Sequence, residues 1–207
     1  PALAEVCLRT ADAGADATGI FVDDDLWGEV LVLPYVARHP DLAFVVETDD
    51  GRVAGYIVGT DDTRAFEDWF ATEWWPRFAE RWPAPDAARP DVADAPDAPA
   101  LDASALDERR TRQNGTLSYA YGRRAGAEPF GDTYPAHLHI DLLPELQGRG
   151  FGRRLIDTLV AALQARGVTG LHLAADLRNT GAIAFYPRLG FTRIPSHDDV
   201  VAFAREL

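Results

Sequence analysis

The sequence contains a single cysteine, Cys7, no lysine and no long run of apolar residues. One cysteine excludes an intrachain disulfide. Together with the lack of a signal-peptide pattern, it leads us to expect a reduced, cytoplasmic setting. A membrane-spanning helix needs a run of about 18 apolar residues or more. Since none is present, we expect no membrane partner.

Positive charge is also scarce. Every cationic side chain is an arginine, and these 20 residues stand against 33 carboxylates, which gives a net charge of −13. A nucleic-acid-binding protein needs a basic face, so we expect no nucleic-acid partner. The acidic balance favours a cationic partner through long-range attraction. At 207 residues and 47% hydrophobic content, the chain is predicted to form one domain over residues 1–207.

The most informative stretch is 136–153. Residues 136–142 alternate between aliphatic and polar side chains, which predicts a strand with two different faces. A glycine-rich turn follows at 147–152, and apolar residues recur every four positions from Phe151, so the turn is predicted to open a helix. The first helical turn has unpaired N–H groups at the positive end of the helix dipole, and glycines let an anion approach them. The stretch therefore predicts a phosphate-binding turn.

Two common phosphate motifs do not fit this turn. A Walker loop ends in Lys-Ser or Lys-Thr, which is absent, and a dinucleotide fingerprint would need glycine where Arg153 stands. The pattern Gln-x-x-Gly-x-Gly does fit, through Gln147, Gly150 and Gly152. This stretch resembles motif A of the GNAT (general control N-acetyltransferase) superfamily. The loop of that family binds the pyrophosphate of acetyl-coenzyme A (acetyl-CoA).

A second marker of the same family follows. Residues 179–191, Asn-Thr-Gly-Ala-Ile-Ala-Phe-Tyr-Pro-Arg-Leu-Gly-Phe, resemble its signature Asn-x-x-Ala-x-x-Phe-Tyr-x-x-x-Gly-Phe. The two markers flank a predicted strand at 170–175. Residues 134–141 more narrowly resemble bacterial homologues of the C-terminal acetyltransferase-like domain of O-GlcNAcase. The resemblance implies an α/β GNAT fold, a mixed central sheet with splayed parallel strands between flanking helices.

The resemblance also implies an activity and a donor site. It implies an acyltransferase that moves acetyl directly from acetyl-CoA to a primary amine, without a covalent acetyl-enzyme. In this family the pantetheine arm lies between the splayed strands and the loop cradles the pyrophosphate, mostly through backbone groups. Carried over to this chain, the cofactor-binding residues are Leu142, Leu143, Gln147, Gly148, Arg149, Gly150, Phe151, Gly152, Arg153 and Asn179.

Catalytic residues follow from the same resemblance. Tyr186 matches the tyrosine that many GNAT enzymes place near the coenzyme sulfur as a general acid; core packing is the alternative. Asp141 ranks first as the base, because the O-GlcNAcase-like relatives carry an aspartate there, although a carboxylate with a pKa of about 4 must be raised by burial to serve. His139 ranks second for its better intrinsic pKa, and His137 third. We expect no metal site.

The remaining chain is predicted to surround this core. We expect helices at 1–13, 26–35 and 66–82, a hairpin at 43–48 and 52–60, and an insertion at about 61–132, whose part 83–106 is a surface excursion. Residues 107–130 show little periodicity, and their arginines either balance acids or bind the 3′-phosphate. Trp27 and Tyr35 are candidates for acceptor contact, with core packing as the alternative.

Two readings of the function stay open at this point. The main one is an acetyl-CoA-dependent N-acetyltransferase whose acceptor the sequence does not identify. The alternative is an acetyl-CoA-binding or CoA-binding module without transferase activity. The family resemblance also allows a homodimer, although no patch in the sequence marks an interface.

Overall fold

The computed structural model describes residues 1–85, 103–196 and 199–207. Its centre is a six-stranded sheet in the order β1-β2-β3-β4-β6-β5, in which only β3 and β4 are parallel. The strands are β1 Ala43–Glu47, β2 Val53–Thr60, β3 Ala136–Leu142, β4 Gly170–Asp176, β5 Thr192–Ile194 and β6 Val200–Glu206. The predicted mixed sheet between helices is confirmed.

The two parallel strands separate soon after they begin. Between β3 and β4 only two pairs form, Ala136 with Leu171 and His137 with His172. On its other side β3 pairs with β2 along its length, from Thr60 opposite His137 to Gly55 opposite Leu142. The edge of β3 facing β4 is therefore open beyond His137, which confirms the predicted splay.

Most helices lie near their predicted positions but are shorter or divided. The α-helices are α1 Ala2–Leu8, α2 Asp25–Leu31, α3 Leu33–Arg38, α4 Thr63–Trp69, α5 Ala103–Gly122, α6 Phe151–Ala165 and α7 Thr180–Phe185. The single helix predicted at 26–35 is two helices, because Pro34 lies in the first turn of α3, where its missing N–H breaks no helical hydrogen bond. The aromatic helix predicted at 66–82 also divides, into α4, a π-helical turn Phe70–Trp74 and a 3₁₀ turn Trp75–Phe78 that carries Pro76.

Residues 107–130, whose sequence shows little periodicity, contain a long helix that the sequence did not indicate. Most of this segment belongs to α5, which buries apolar side chains near its C-terminal end, at Leu117 and Ala120. Its buried face also contains the polar residues Gln113 and Thr116, so the buried stripe is not apolar throughout and its hydrophobic periodicity is weak. Residues 86–102, most of the excursion predicted at 83–106, lie outside the described residues.

Apolar side chains cover both faces of the sheet. One cluster contains α1 to α4 and the tryptophans, which are 2–8% exposed at Trp69, Trp74, Trp75 and Trp82 and therefore belong to the core. The other packs α6 and the last strands against the opposite face. Among the described residues, no helix is both long and apolar enough to cross a membrane.

Candidate active site

The turn before α6 forms an anion-binding geometry from backbone alone. Gly148 and Gly150 have φ of +70° and +82°, a left-handed conformation that other residues adopt only with strain. Gly150 caps α6 without any side-chain hydrogen bond. Within the described residues, the N–H groups from Gly148 to Arg153 make no backbone or side-chain hydrogen bond, and Arg154 is the first to pair, with Gly150. These free N–H groups at the positive end of a helix suit a phosphate group.

Arginine side chains surround this turn without carboxylate partners. In the described part of the chain, Arg149, Arg153 and Arg154 form no ion pair. Arg149 and Arg154 lie over the Phe151 ring, at 5.6 and 4.2 Å from its centre, and Arg153 donates a hydrogen bond to the Arg188 carbonyl at 3.1 Å. Cations at a helix N-terminus oppose its dipole, so a bound anion would relieve this arrangement.

A cavity of about 560 Å³, here called the long cleft, runs from the open edge of β3 to this turn. Seven predicted cofactor-binding residues line it, together with the catalytic candidates Asp141 and Tyr186. Those seven are Leu142, Gln147, Gly148, Gly150, Gly152, Arg153 and Asn179.

Three predicted cofactor-binding residues do not line the long cleft. Leu143 is 1% exposed, its N–H donates to the Ala54 carbonyl and its carbonyl accepts from the Leu146 N–H, so only the second lone pair of that carbonyl is unused. Phe151 packs against the core, and Arg149 donates to the Glu145 carbonyl. The cofactor contacts of these three residues stay predictions; the Phe151 N–H makes no hydrogen bond among the described residues, and Arg149 adds positive charge near the turn.

Gly152 has a different role from the other two glycines. Its φ is not left-handed, but an added Cβ would lie 2.9 Å from the Phe185 ring and 3.5 Å from Leu142. No atom lies within 4 Å of a Cβ added at Gly148 or Gly150. Gly152 thus allows α6 and α7 to pack closely, while the other two glycines keep the mouth of the turn clear.

A second cavity, about 200 Å³ and here called the inner pocket, lies behind the long cleft. The two share a boundary made by Thr10, Ala13, Gly14, Ile140, Asp141, Asn179, Ala182 and Tyr186. The inner pocket adds His139, Cys7, Trp27 and Asp176 to its walls. Since Asp141 and Tyr186 stand at the shared boundary, both reach a molecule in either cavity.

The pKa of the Asp141 carboxyl group is changed by its burial. Burial raises its pKa above the usual value, while a hydrogen bond from the Tyr56 hydroxyl opposes that rise. Tyr56 lies directly opposite Asp141 in the β2–β3 register and is fully buried. A raised pKa brings the carboxylate closer to the range in which it can accept a proton from an amine.

Tyr186 and Cys7 are both held in their protonated forms. Tyr186 is 7% exposed, and burial and the Asp141 charge raise the pKa of its phenol. Within the described residues its hydroxyl makes no hydrogen bond, yet it is not enclosed, so it is open to the cavities. Burial, reinforced by the Asp141 charge, likewise raises the pKa of the Cys7 thiol. A protonated thiol is a poor nucleophile.

The two histidines of β3 differ in their access to the site. His139 lines the inner pocket, and burial and the nearby Arg123 guanidinium lower its pKa to about 3. His137 is buried with both ring nitrogens in hydrogen bonds, at 2.8 Å to Thr63 Oγ1 and 2.6 Å to Tyr35 Oη. Both rings are therefore neutral near pH 7, and His137 has no nitrogen free for an acceptor.

Trp27 and Tyr35, both candidates for acceptor contact, lie in different places. Trp27 is half-buried and lines the inner pocket. Tyr35 is fully buried, stacks on Phe66 at 4.3 Å and lines neither cavity. Its hydroxyl lies between His137 and His139, so it supports the pocket from behind.

Arg123 has neither of the roles predicted for the arginines of 107–130. Its side chain is 6% exposed, and its guanidinium carbon lies 4.8–5.6 Å from the ring centres of Phe66, Phe70, Tyr35 and Tyr119. An aromatic cage of this kind stabilises a buried cation through the ring faces. The side chain lines neither the long cleft nor the inner pocket.

Sequence reasoning missed two parts of the site. One is the loop that follows α1, and the other is Tyr56 on β2. Thr10, Ala13 and Gly14 line both cavities, and a Cβ added at Gly14 would meet the Asn179 amide at 3.3 Å. Gly14 was the one usable signal in the sequence, because a glycine among alanines suggests a tight turn, and its φ in the structure is +95°. Tyr56 gave no signal, since its contact with Asp141 depends on strand register.

Comparisons with known proteins decide the family. The model of the family described as "Acetyltransferase (GNAT) family" matches residues 69–191. The chain belongs to this family. Acetyl-CoA is the acyl donor of its acetyltransferases. The crystal structure of SsHAT is 36% identical, with a TM-score of 0.76, and the match covers 99% of this chain and 92% of that one.

Relatives with named substrates match only a short segment. Mycothiol acetyltransferase of Streptosporangium roseum is 41% identical over 68 residues, which is 33% of this chain and 19% of that protein. The [ribosomal protein bS18]-alanine N-acetyltransferase of Salmonella typhimurium is 46% identical over 54 residues, 26% of this chain and 36% of that protein. The chain thus spans a minor part of these curated relatives.

The long cleft of this GNAT protein fits acetyl-CoA. The open edge of β3 can pair with amides of the pantetheine arm, and the free N–H groups from Gly148 to Arg153 can hold the pyrophosphate. Among the described residues, no atom lies within 4 Å of a Cβ added at Gly148 or Gly150, so side chains leave the approach to these N–H groups clear.

Proposed function

We propose that the protein transfers an acetyl group from acetyl-CoA directly to a primary amine bound in the inner pocket. The observation that supports this most is the shared boundary of the two cavities. Asp141 and Tyr186 both stand there, so a donor in the long cleft and an acceptor in the inner pocket would meet beside two groups that can move protons. Holding two reactants in such a position supplies much of the rate enhancement.

The donor side acts by binding and orientation. Acetyl-CoA supplies an activated acetyl thioester. The free N–H groups of the turn before α6 bind its phosphates, and the open edge of β3 aligns its arm toward Tyr186. The Gln147 side chain donates to the Leu142 carbonyl at 2.9 Å and so braces the end of β3 against the turn.

Proton transfers are assigned to the two boundary residues. Asp141 accepts a proton from the acceptor ammonium through its carboxylate, so that the neutral amine nitrogen can attack the acetyl carbon. As the carbon–sulfur bond breaks, the Tyr186 hydroxyl donates its proton to the sulfur, and the second proton that the attacking nitrogen loses returns to the Tyr186 phenolate. The products are the amide, the free thiol and the one proton held by Asp141. Burial favours both assignments, because it raises the pKa of the carboxylate and keeps the phenol protonated until that step.

A direct transfer is favoured over a covalent acetyl-cysteine. Cys7 lines the inner pocket, but it is 2% exposed and its pKa is raised. His139, whose pKa is lowered by burial and Arg123, is a weak base for removing the thiol proton. The raised pKa keeps the Cys7 thiol protonated, and the lowered pKa makes His139 a poor acceptor of that proton. The two residues are therefore unsuited to act together as a thiolate nucleophile and its base.

A substitution at Tyr186 separates an enzyme from a binding module. Acetyl-CoA binding is measured by isothermal titration, and turnover by release of free thiol with a panel of primary amines. We expect Tyr186→Phe to retain binding and to lower kcat by about 100-fold or more. Unchanged turnover would exclude Tyr186 as the acid, and binding without turnover in the unsubstituted protein would favour the CoA-binding module.

Four narrower points stay predictions. These are kinship with bacterial homologues of the O-GlcNAcase acetyltransferase-like domain, one domain over 1–207 with an insertion at about 61–132, a cytoplasmic location and a homodimer. SsHAT supports a common organisation along the chain, because the match extends over nearly all of both proteins. Size-exclusion chromatography with light scattering tests the homodimer.

A further inference from the structure

Behind the inner pocket, hydrogen bonds link polar side chains that the proposed reaction does not use. Thr63 Oγ1 lies 2.7 Å from the carbonyl oxygen of Pro135 and 2.8 Å from Nδ1 of His137. A carbonyl oxygen can only accept, so the Thr63 hydroxyl donates its single proton to Pro135. Its oxygen can then only accept from the imidazole, and His137 therefore carries its proton on Nδ1.

The same reasoning continues from His137 to Tyr35. Burial, together with the neighbouring Arg123 guanidinium, holds the pKa of His137 well below its usual value, so the ring is neutral. With a proton on Nδ1, its Nε2 is an acceptor. The Tyr35 hydroxyl lies 2.6 Å from Nε2, and Arg123 Nη2 lies 3.3 Å from it. Tyr35 therefore donates its only proton to His137.

The last step determines the proton on His139. The Tyr35 oxygen accepts from Arg123 Nη2 at 2.6 Å, and it lies 3.1 Å from His139 Nε2. Since the Tyr35 proton is already used, His139 must donate from Nε2. Its ring is neutral near pH 7, so Nδ1 carries a lone pair. Among the described residues this nitrogen has no hydrogen-bond partner and is not enclosed, while His139 lines the inner pocket.

We propose that His139 presents its unprotonated Nδ1 to the inner pocket as a fixed hydrogen-bond acceptor, and that it selects primary amines carrying a second N–H or O–H donor, as amino alcohols and diamines do. The selection rests on the proposed function. His139 and Asp141 are two residues apart on one face of β3, about 6.5 Å along the strand, a separation that one small molecule can bridge.

The composition of the inner pocket agrees with a donor-rich acceptor. Its lining includes the Asp141 carboxylate and the neutral His139, together with Asp176 and Asn179, whose oxygens already accept from Arg178 and from the Ala182 N–H. Among the described residues that line it there is no arginine. The pocket therefore offers acceptors to N–H and O–H groups and offers no cation to a carboxylate on the ligand.

The tautomers can be read directly by NMR of the protein labelled with ¹⁵N-histidine. We expect His137 to be protonated on Nδ1 and His139 on Nε2, which are opposite tautomers on alternate residues of one strand. Signals are assigned with His137→Gln and His139→Gln. The proposal is overturned if His139 carries its proton on Nδ1, or if both rings share one tautomer.

Two substitutions at Thr63 test whether the chain of hydrogen bonds sets the His139 proton. Thr63→Val keeps the side-chain shape and removes the hydroxyl, so we expect both histidines to shift at least partly toward their other tautomers. Thr63→Ser retains the hydroxyl and is the matched control with unchanged signals. A Thr63→Val protein that is folded and has unshifted His139 signals contradicts the proposal.

A matched pair of ligands tests selection. Ethanolamine and propylamine differ in one hydroxyl at similar size, and each is titrated while the His139 Nδ1 signal is followed. We expect ethanolamine to shift this signal and to bind about tenfold more tightly than propylamine, a ratio that Thr63→Val reduces. Equal affinities overturn the selection. Absent turnover with intact titrations would instead count against the proposed transferase function.

Discussion

The long cleft and the inner pocket are built in opposite ways. The phosphate end of the long cleft consists of consecutive residues, Gly148 to Arg153, that act mostly through backbone N–H groups and left-handed glycines. The inner pocket is assembled from α1, the loop after it, α2, β3, β4 and α7, and acts through side chains. Backbone sites therefore tolerate side-chain variation but not changes at glycine, whereas side-chain sites depend on contacts between distant segments.

We expect the largest effect from a substitution that disrupts only the backbone N–H groups of the turn before α6. Gly150→Trp places a side chain in the clear space of the turn at φ +82°, so we expect isothermal titration to show no saturable binding of acetyl-CoA. Gly167→Trp is the matched control, because Gly167 has φ +75° and open space at the other end of α6. The strain of about 1–2 kcal/mol is common to both variants. Equal loss of binding in the two variants would mean that strain, not the phosphate site, causes it.

A second substitution removes the proposed base at the shared boundary and leaves the phosphate-binding turn of the long cleft intact. We expect Asp141→Asn to lower kcat by about 100-fold or more, because the amide cannot accept the ammonium proton, while acetyl-CoA affinity changes little. Asp176→Asn is the control, since Asp176 lines the same pocket but is paired with Arg178 at 2.9 Å. Steady-state kinetics with one acceptor amine measure both. If Asp176→Asn has the larger effect on kcat, the base is assigned to the wrong residue.

The same contrast explains what the sequence could predict. The glycine turn and the Asn-to-Phe signature are local patterns, so the fold class and the position of the glycine turn before a helix followed from them. At Leu143 the sequence does not show that the backbone N–H pairs with the Ala54 carbonyl. The residue was placed by analogy with an extended strand, but β3 ends at Leu142.

The inner pocket was less predictable because its contacts cross the chain. Tyr56 meets Asp141 across 85 residues through strand register, and Arg123 meets Tyr35 across 88. Neither contact has a spacing that a sequence pattern can reveal. Helix α5 was missed for a related reason, since polar residues such as Gln113 and Thr116 occupy part of its buried face.

Lowering the pH also distinguishes the two cavities, because, among the described residues, neutral histidines lie behind the inner pocket and not behind the long cleft. His137 has a lowered folded-state pKa, so between its folded pKa and about 6.5 the unfolded chain binds a proton that the folded protein does not. Its contribution to stability is thus present above about pH 6.5 and lost as the pH falls. We expect a loss of about 1.4 kcal/mol per pH unit below that value from this group.

Urea unfolding between pH 7 and pH 5 measures this contribution. The variant His137→Gln lacks the titrating group, so its stability curve should fall less steeply than that of the unsubstituted protein. The difference between the two slopes removes the effect of other groups, including Asp141, whose raised pKa acts with the opposite sign. Parallel curves would show that His137 titrates alike in the folded and unfolded chains.

The smallest expected effect concerns the side chains around the backbone site. Arg153 lines the long cleft, whereas Arg149 does not and lies over Phe151. Exposed charge pairs contribute up to about 1 kcal/mol, so we expect Arg153→Ala to weaken acetyl-CoA binding by about threefold to fivefold and Arg149→Ala by less than about twofold. Higher salt should shrink the Arg153 effect, because exposed charges are screened. A loss as large as that of Gly150→Trp would contradict the view that backbone groups hold the phosphates.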